Sequence, residues 1–318
     1  MQPPSFADLL AARPRVYAHM RPSPLMRHPL LDAWTGRPTW VKHENHNPTG
    51  AFKIRGALNL IAQLTDEERR CGVVAASTGN HGQATAMACR LAGVRCRIVV
   101  PVENNPDKVA GIRVMGAEVV EFGADFDAAR EHVESVVVRE GWRYVHSANE
   151  PGLIAGAGTY GLEVFDERPD VDYVFVPIGG GSGASGCCLA RTGVGARAKV
   201  IGVLADGAPA FARSWRTGVR VTTERAETFA EGIACRATYD LTFAILRAEL
   251  DDVVTVSEAE LQDGMRAALA CTHNLAEGAG AASLAAARRY PMPDGATVAC
   301  VMTGGNVDTR TLRTILDR

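Results

Sequence analysis

A lysine set where a turn hands over to an apolar helix can do chemistry, because burial strips its hydration. The stretch Asn47-Pro48-Thr49-Gly50-Ala51-Phe52-Lys53 opens with turn formers. Ile54, Ala57, Leu58 and Ile61 then recur at i, i+3, i+4 and i+7, which predicts a helix with one buried face. A half-buried ammonium at Lys53 titrates lower than usual. Such an amine is a candidate nucleophile, suited to a Schiff base with a carbonyl or with pyridoxal phosphate. The competing reading is a snorkelling lysine at a helix start.

Three further loops follow strand-like runs. Ser77-Thr78-Gly79-Asn80-His81-Gly82 opens a helix whose buried face is Ala84, Met87, Ala88 and Leu91. Free backbone N–H groups at such a start favour an anion, and a substrate carboxylate suits them. A helix cap by Ser77 or Thr78, with His81 packed in the core, fits the same residues. Gly179-Gly180-Gly181-Ser182-Gly183-Ala184-Ser185-Gly186 lets backbone amides close on a phosphate. Gly181 to Gly186 also spell a formal G-x-G-x-x-G, with Asp206 about twenty residues beyond, so a nicotinamide-dependent oxidoreductase is a second class of reading. Thr303-Gly304-Gly305-Asn306 follows the last strand, where a hydroxyl can reach a ligand crevice or simply sit in a turn.

The elements that must position these loops alternate regularly. A proline-punctuated arm, Pro3 to Pro29, holds one short helix, Phe6 to Ala12, and then extended chain. A strand Thr39–Lys42 leads into the lysine loop. Strands at Val73–Ala76, Arg97–Val100, Glu118–Phe122 and Arg143–His146 alternate with helices Gly82–Leu91, Pro106–Met115 and Phe126–Arg139, a small doubly wound unit. Asn149-Glu150-Pro151-Gly152 breaks the pattern. Strands Val171–Pro177, Lys199–Leu204, Val253–Val256 and Thr297–Met302 follow, with capping-box spacing at Ser257 as at Thr65. The expected division is a large domain of residues 1–65 and 150–318 and a small domain of residues 66–149.

The 318 residues, 47% hydrophobic and 22% charged with a net charge of −2, describe an ordinary globular α/β chain. No like-charge run points to nucleic acid or an anionic membrane. No apolar run approaches the roughly 18 residues of a membrane span, and the start lacks signal-peptide order. The eight cysteines form no CxxC, the usage of reduced thiols in the cytoplasm. His43 and His46 lack further ligands at a set spacing, so no metal site is expected. The chain ends soon after Asp308, and no appended regulatory domain is expected.

Together TGAFKIRGA, STGNHGQA, IGGGSGASG, EGAGAA and TGGNVD resemble, in order and across about Pro24 to Asp308, the fold type II pyridoxal-phosphate enzymes. The resemblance is nearest to the serine/threonine dehydratase and serine racemase branch. It implies two doubly wound α/β domains with the cofactor in the cleft between them, and a homodimer. It implies Lys53 as the Schiff-base lysine, Phe52 packed on the pyridine ring and Asn80 at the ring hydroxyl. Gly179, Gly180, Gly181, Ser182 and Gly183 then correspond to the phosphate cradle. Ser77, Thr78, Gly79, Asn80 and His81 correspond to the substrate carboxylate loop, Thr303 faces the pyridine nitrogen, and Glu277 lies near the ring. Departures from the family pattern are Ala51 and Ser182, for serine and glycine, and Thr303, for serine or cysteine. Thr78 holds the racemase serine's place, and Leu204 replaces a cation-binding glutamate. The implied activity is elimination of water from a β-hydroxy-α-amino acid of threonine or serine type, giving a 2-oxo acid and ammonia. Alternatives are a serine or hydroxyaspartate racemase and a dehydratase for an amino acid derived from a hydroxylated osmolyte such as hydroxyectoine.

Overall fold

A computed structural model of the chain describes residues 1–124 and 126–317. Two sheets carry the fold. The first comprises β1 (Leu25–Arg27), β2 (Thr39–His43), β7 (Tyr173–Pro177), β8 (Lys199–Ala205), β9 (Asp252–Val256) and β10 (Val298–Met302), in the order β1-β2-β10-β7-β8-β9. The second comprises β3 (Val73–Ala76), β4 (Cys96–Val100), β5 (Glu118–Glu121) and β6 (Arg143–Tyr144), in the order β5-β4-β3-β6. Every pairing is parallel except β1 against β2. Buried parallel strands need apolar residues on both faces, and all of Val298–Met302 and Tyr173–Pro177 are buried.

Between the sheets runs the helix Lys53–Ile61, the lysine helix. Ile54, Ala57, Leu58 and Ile61 join Val73, Ala75, Ala84 and Ile98 in the core beneath the smaller sheet. Its other side crosses the helix Pro151–Glu167 so closely that a Cβ on Gly156 would lie 2.4 Å from the Arg55 carbonyl oxygen. Glycine is required at that crossing.

Pro151–Glu167 corrects the expectation of a mere break at Asn149–Gly152. Pro151 occupies the first turn of a helix, where its missing N–H costs nothing. From Leu153 to Phe165 every residue is buried, Thr159, Tyr160 and Glu163 included, so no solvent-facing stripe marked it. The first helix likewise runs past Ala12 to Tyr17 with Pro14 inside it. A capping box at Ser5 and the buried face Leu9, Ala12 and Val16 hold it. The expected capping boxes at Thr65 and Ser257 both form. Strand β6 spans only Arg143–Tyr144, because His146 turns its Nδ1 back to accept the N–H groups of Ala148 and Asn149.

Candidate active site

The carboxyl ends of β2, β3, β7 and β10 carry the chain into the four loops singled out above. The loops line one cavity of about 160 Å³. Lys53, Ser77–His81, Gly179–Gly183, Glu277 and Thr303 all lie in its wall. Helices on the far side of each sheet hold the strands, so these loop positions are fixed by the core.

Lys53 begins its helix and its Nζ reaches two oxygens. It donates to the Ser147 carbonyl oxygen at 3.0 Å and to Ser182 Oγ at 3.2 Å. Among the described residues no carboxylate pairs with it. Burial therefore lowers the amine to about 8, with only Cys235 pulling weakly the other way. Phe52 packs beside it, its ring edge-on to Tyr160 with centroids 6.1 Å apart. The Phe52 N–H donates to the Thr303 carbonyl oxygen at 3.0 Å, which ties the lysine loop to the end of β10.

The glycine loop ends at the N-terminus of the helix Ser182–Val194, with Gly181 left-handed at φ 93° as its N-cap. Ser182 begins that helix and has no positive φ, so it is accommodated in place of glycine. A Cβ on Gly179 would lie 2.2 Å from the Gly232 carbonyl oxygen, and one on Gly183 would press on the Phe52 ring at 3.0 Å. The loop must be bare, and its helix start directs unpaired N–H groups into the cavity wall.

At the third loop the side chains divide. Ser77 Oγ accepts the N–H of Gly82 at 2.9 Å and of Gly79 at 3.2 Å, so this hydroxyl caps its own helix. Buried His81 pairs Nε2 with the Val145 carbonyl oxygen at 3.1 Å, which makes Nε2 the protonated nitrogen. Burial, with Lys53 nearby, lowers His81 to about 3. Thr78, Gly79 and Asn80 remain half-buried at the cavity. Asn80 Nδ2 donates to Glu277 Oε1 at 2.7 Å. Burial raises Glu277 to about 7 against the opposing Asn80 hydrogen bond.

Lys108, Glu231, Cys235 and Ser147 also line the cavity and were not singled out from sequence. Lys108 and Glu231 form an ion pair at its mouth, joining the helix Pro106–Val114 to the turn Glu231–Ile233. No motif surrounds either residue, so sequence held no signal for the pair. Leu204, in the position of the family's cation-binding glutamate, is buried in the core. Among the described residues no three His, Cys, Asp or Glu side chains are grouped to hold a metal, and no helix is long and apolar enough to cross a membrane.

The family model described as pyridoxal-phosphate dependent enzyme matches residues 16–304. The chain belongs to that family. The enzyme is 40% identical over 289 residues to an L-threonine ammonia-lyase of Thermotoga maritima, covering 91% of this chain and 72% of that one. It is 34% identical over 309 residues to the catabolic L-threonine dehydratase TdcB of Escherichia coli, covering 96% and 94%. Its fold superimposes on maize serine racemase with a TM-score of 0.93 at 30% identity, covering 99% and 97%. The match includes the loop Gly181–Gly186, so its glycines belong to a pyridoxal-phosphate fold and the nicotinamide reading falls. The cavity fits that cofactor: a deprotonatable amine faces a bare glycine turn whose Cβ atoms would collide with its walls.

Proposed function

We propose that the enzyme eliminates water from a β-hydroxy-α-amino acid of threonine or serine type and releases a 2-oxo acid and ammonia. The observation that carries this reading is the position of Lys53 Nζ, 3.2 Å from Ser182 Oγ in the glycine loop, with its pKa lowered to about 8. The relatives named L-threonine ammonia-lyase and dehydratase support it.

Pyridoxal phosphate, when bound, supplies the electron sink that lets an amino acid lose its α-proton. Lys53 would hold its carbonyl carbon, and Gly179–Gly183 with the Ser182 helix start would hold its phosphate. Phe52 would pack by the ring, Asn80 would offer an amide N–H to the ring oxygen, and Thr303 would offer the ring nitrogen a neutral hydroxyl. Lys53 Nζ would accept the α-proton, for which an amine poised near 8 is well matched. Thr78 and the N–H groups of Gly79 and Asn80 orient the substrate carboxylate, while Ser77 and His81 keep the turn in shape.

Residues 66–149 act as a small lobe against residues 1–65 and 150–318. The same reading makes the enzyme cytoplasmic, in keeping with eight unpaired cysteines, and, by resemblance to the family alone, homodimeric. Borohydride reduction of the holoenzyme followed by peptide mapping is expected to place the pyridoxyl label on Lys53. Label on another lysine, or none, overturns the reading. Racemisation is the second reading, favoured by the hydroxyl that Thr78 keeps in the cavity wall.

A further inference from the structure

Asn306 does not line the main cavity, yet it is hydrogen-bonded to a side chain that does. Its Nδ2 donates one hydrogen to the Thr49 carbonyl oxygen at 2.7 Å and the other to Asn80 Oδ1 at 2.8 Å. A backbone carbonyl can only accept, so the Asn306 nitrogen is fixed at that end. The Asn80 atom facing it must then be oxygen. The Asn80 nitrogen consequently turns to Glu277 Oε1 at 2.7 Å, and one amide hydrogen is left over. Turning Asn306 over sets acceptor against acceptor at Thr49 and Asn80, and turning Asn80 over sets donor against donor at Asn306, so the two orientations are locked together.

The backbone is shaped around this lock. Gly50 is left-handed at φ 67°, and a Cβ there would lie 2.4 Å from Asn306 Oδ1. The Gly305 N–H donates to the Gly50 carbonyl oxygen at 2.9 Å, which fixes Asn306 against the lysine loop. On the far side a Cβ at Gly304 would lie 2.7 Å from Glu277 Oε1. Three segments remote in sequence, ending in Thr49, Asn80 and Asn306, therefore meet at one amide pair.

We propose that Asn306 is a positioning residue that sets the Asn80 amide so that it offers the cavity an N–H and not a carbonyl oxygen. In naming the recipient as the pyridine ring oxygen, this rests on the function proposed above. Two variants test it. In Asn306→Asp the volume is kept but no hydrogen can be donated, so the Asn80 amide turns over to donate to the introduced carboxylate. In Asn306→Ala the lock is removed and Asn80 is free to take either orientation.

Apo-protein is titrated with pyridoxal phosphate, and the visible absorption band of the bound cofactor and the thermal midpoint are recorded for wild type and both variants. Asn306→Asp is expected to bind on the order of 10-fold more weakly and to shift the band, with Asn306→Ala between it and wild type. A purely structural residue predicts the reverse order, because alanine removes more packing. Alanine weaker than aspartate, or both equal to wild type, overturns the proposal. If Asn306→Asp does not fold, the alanine variant decides: an unchanged band and affinity overturn it, and a shifted band with weakened affinity supports it. Wild type that takes up no pyridoxal phosphate overturns the proposed function and this inference with it. Wild type that binds while the variants match it overturns this inference and leaves the function standing.

Discussion

Lys53 and Arg55 stand two residues apart on one helix, both cations taken out of water, and their surroundings treat them oppositely. Arg55 is fully buried with every N–H engaged. Nε donates to Glu44 at 2.6 Å, Nη1 to Thr159 at 3.0 Å and Glu163 at 2.5 Å, and Nη2 to both carboxylates at 2.9 Å. Lys42 adds a second cation 2.6 Å from Glu163, so two positive and two negative groups cancel. Burial opposes the Arg55 charge, but Glu44 and Glu163 outweigh it and hold the guanidinium above its usual pKa. Lys53 has burial without a counterion, and its proton is loosened. A buried cation with matched partners fixes the structure, and one without them is reactive. The paired cluster grips Lys53–Ile61 from behind so that the unpaired amine can face the cavity.

The sharpest way to break this comparison is to exchange the roles. Lys53→Ala and Lys53→Arg are both expected to lower turnover by on the order of 10³-fold or more, since charge without a nucleophilic amine does not serve. For Lys53→Ala the thermal midpoint of the cofactor-free protein is expected to stay near or above wild type, because an uncompensated ammonium is removed. Lys53→Arg keeps an unpaired charge that cannot deprotonate and is expected to lower it. A large fall in the Lys53→Ala midpoint contradicts the assignment of Lys53 as unpaired.

The converse substitutions strike stability. Arg55→Met strands Glu44 in the core and leaves Glu163 with Lys42 alone, and about 3–5 kcal/mol of folding free energy is expected to be lost. Glu163→Gln leaves excess positive charge on Arg55 and Lys42 and is expected to cost a similar amount. Urea unfolding of the cofactor-free protein measures both. Losses below about 1 kcal/mol mean that the cluster behaves like a surface pair.

The two sites were not equally legible in the sequence. Lys53 was, because Asn47-Pro48-Thr49-Gly50 announces a turn and Ile54, Ala57, Leu58 and Ile61 announce a buried face. Its chemistry follows from local residues. The cluster was not, since Lys42, Glu44, Arg55 and Glu163 lie on separate elements and pair only once the sheet order brings them together. Pro151–Glu167, which supplies Glu163, is buried on every side from Leu153 to Phe165 and shows no solvent-facing period. The same holds within the cavity. The glycine loop carries its conformation in its composition, whereas the Lys108–Glu231 pair exists only through contact between remote segments. Ser77 and His81 show a third case, the right loop with side chains engaged inward.

The comparison sharpens with pH. Glu277 titrates at about 7 in the fold against an ordinary 4.5, so between those values the native state holds a proton that the unfolded chain has released. Stability of the cofactor-free protein is expected to fall as pH rises through that window, and Glu277→Gln to remove this contribution. Lys53 acts in the other direction. Its native pKa of about 8 lies below 10.5, so the unfolded chain holds the extra proton between them and stability rises with pH across that window. Lys53→Met is expected to flatten that rise. Urea midpoints from about pH 4 to about pH 10.5 for wild type and both variants check the signs, and a slope of opposite sense in either window contradicts the corresponding shift.

Thr78 is expected to give the smallest effect and the finest test of the unpaired site. Racemisation needs a second acid on the face opposite Lys53, to return a proton to Cα from the other side, while elimination needs only one base. Thr78 keeps a hydroxyl that could serve, but its extra methyl restricts χ1 and competes with that use. If Lys53 is the only amine poised for proton transfer, Thr78 mainly holds substrate. Loss of one hydrogen bond at Thr78→Ala then costs on the order of 1 kcal/mol, or several-fold in rate. The measurement is paired, with 2-oxo acid followed by a coupled dehydrogenase and D-enantiomer by chiral chromatography, from L-threonine and L-serine. Elimination is expected to dominate in wild type and to persist in Thr78→Ala. Wild type that yields mostly D-amino acid, with none from the variant, makes Thr78 the second acid–base group and turns the assignment to a racemase. That result would leave Lys53 in place as base and end its position as the single proton-transfer group of the cavity.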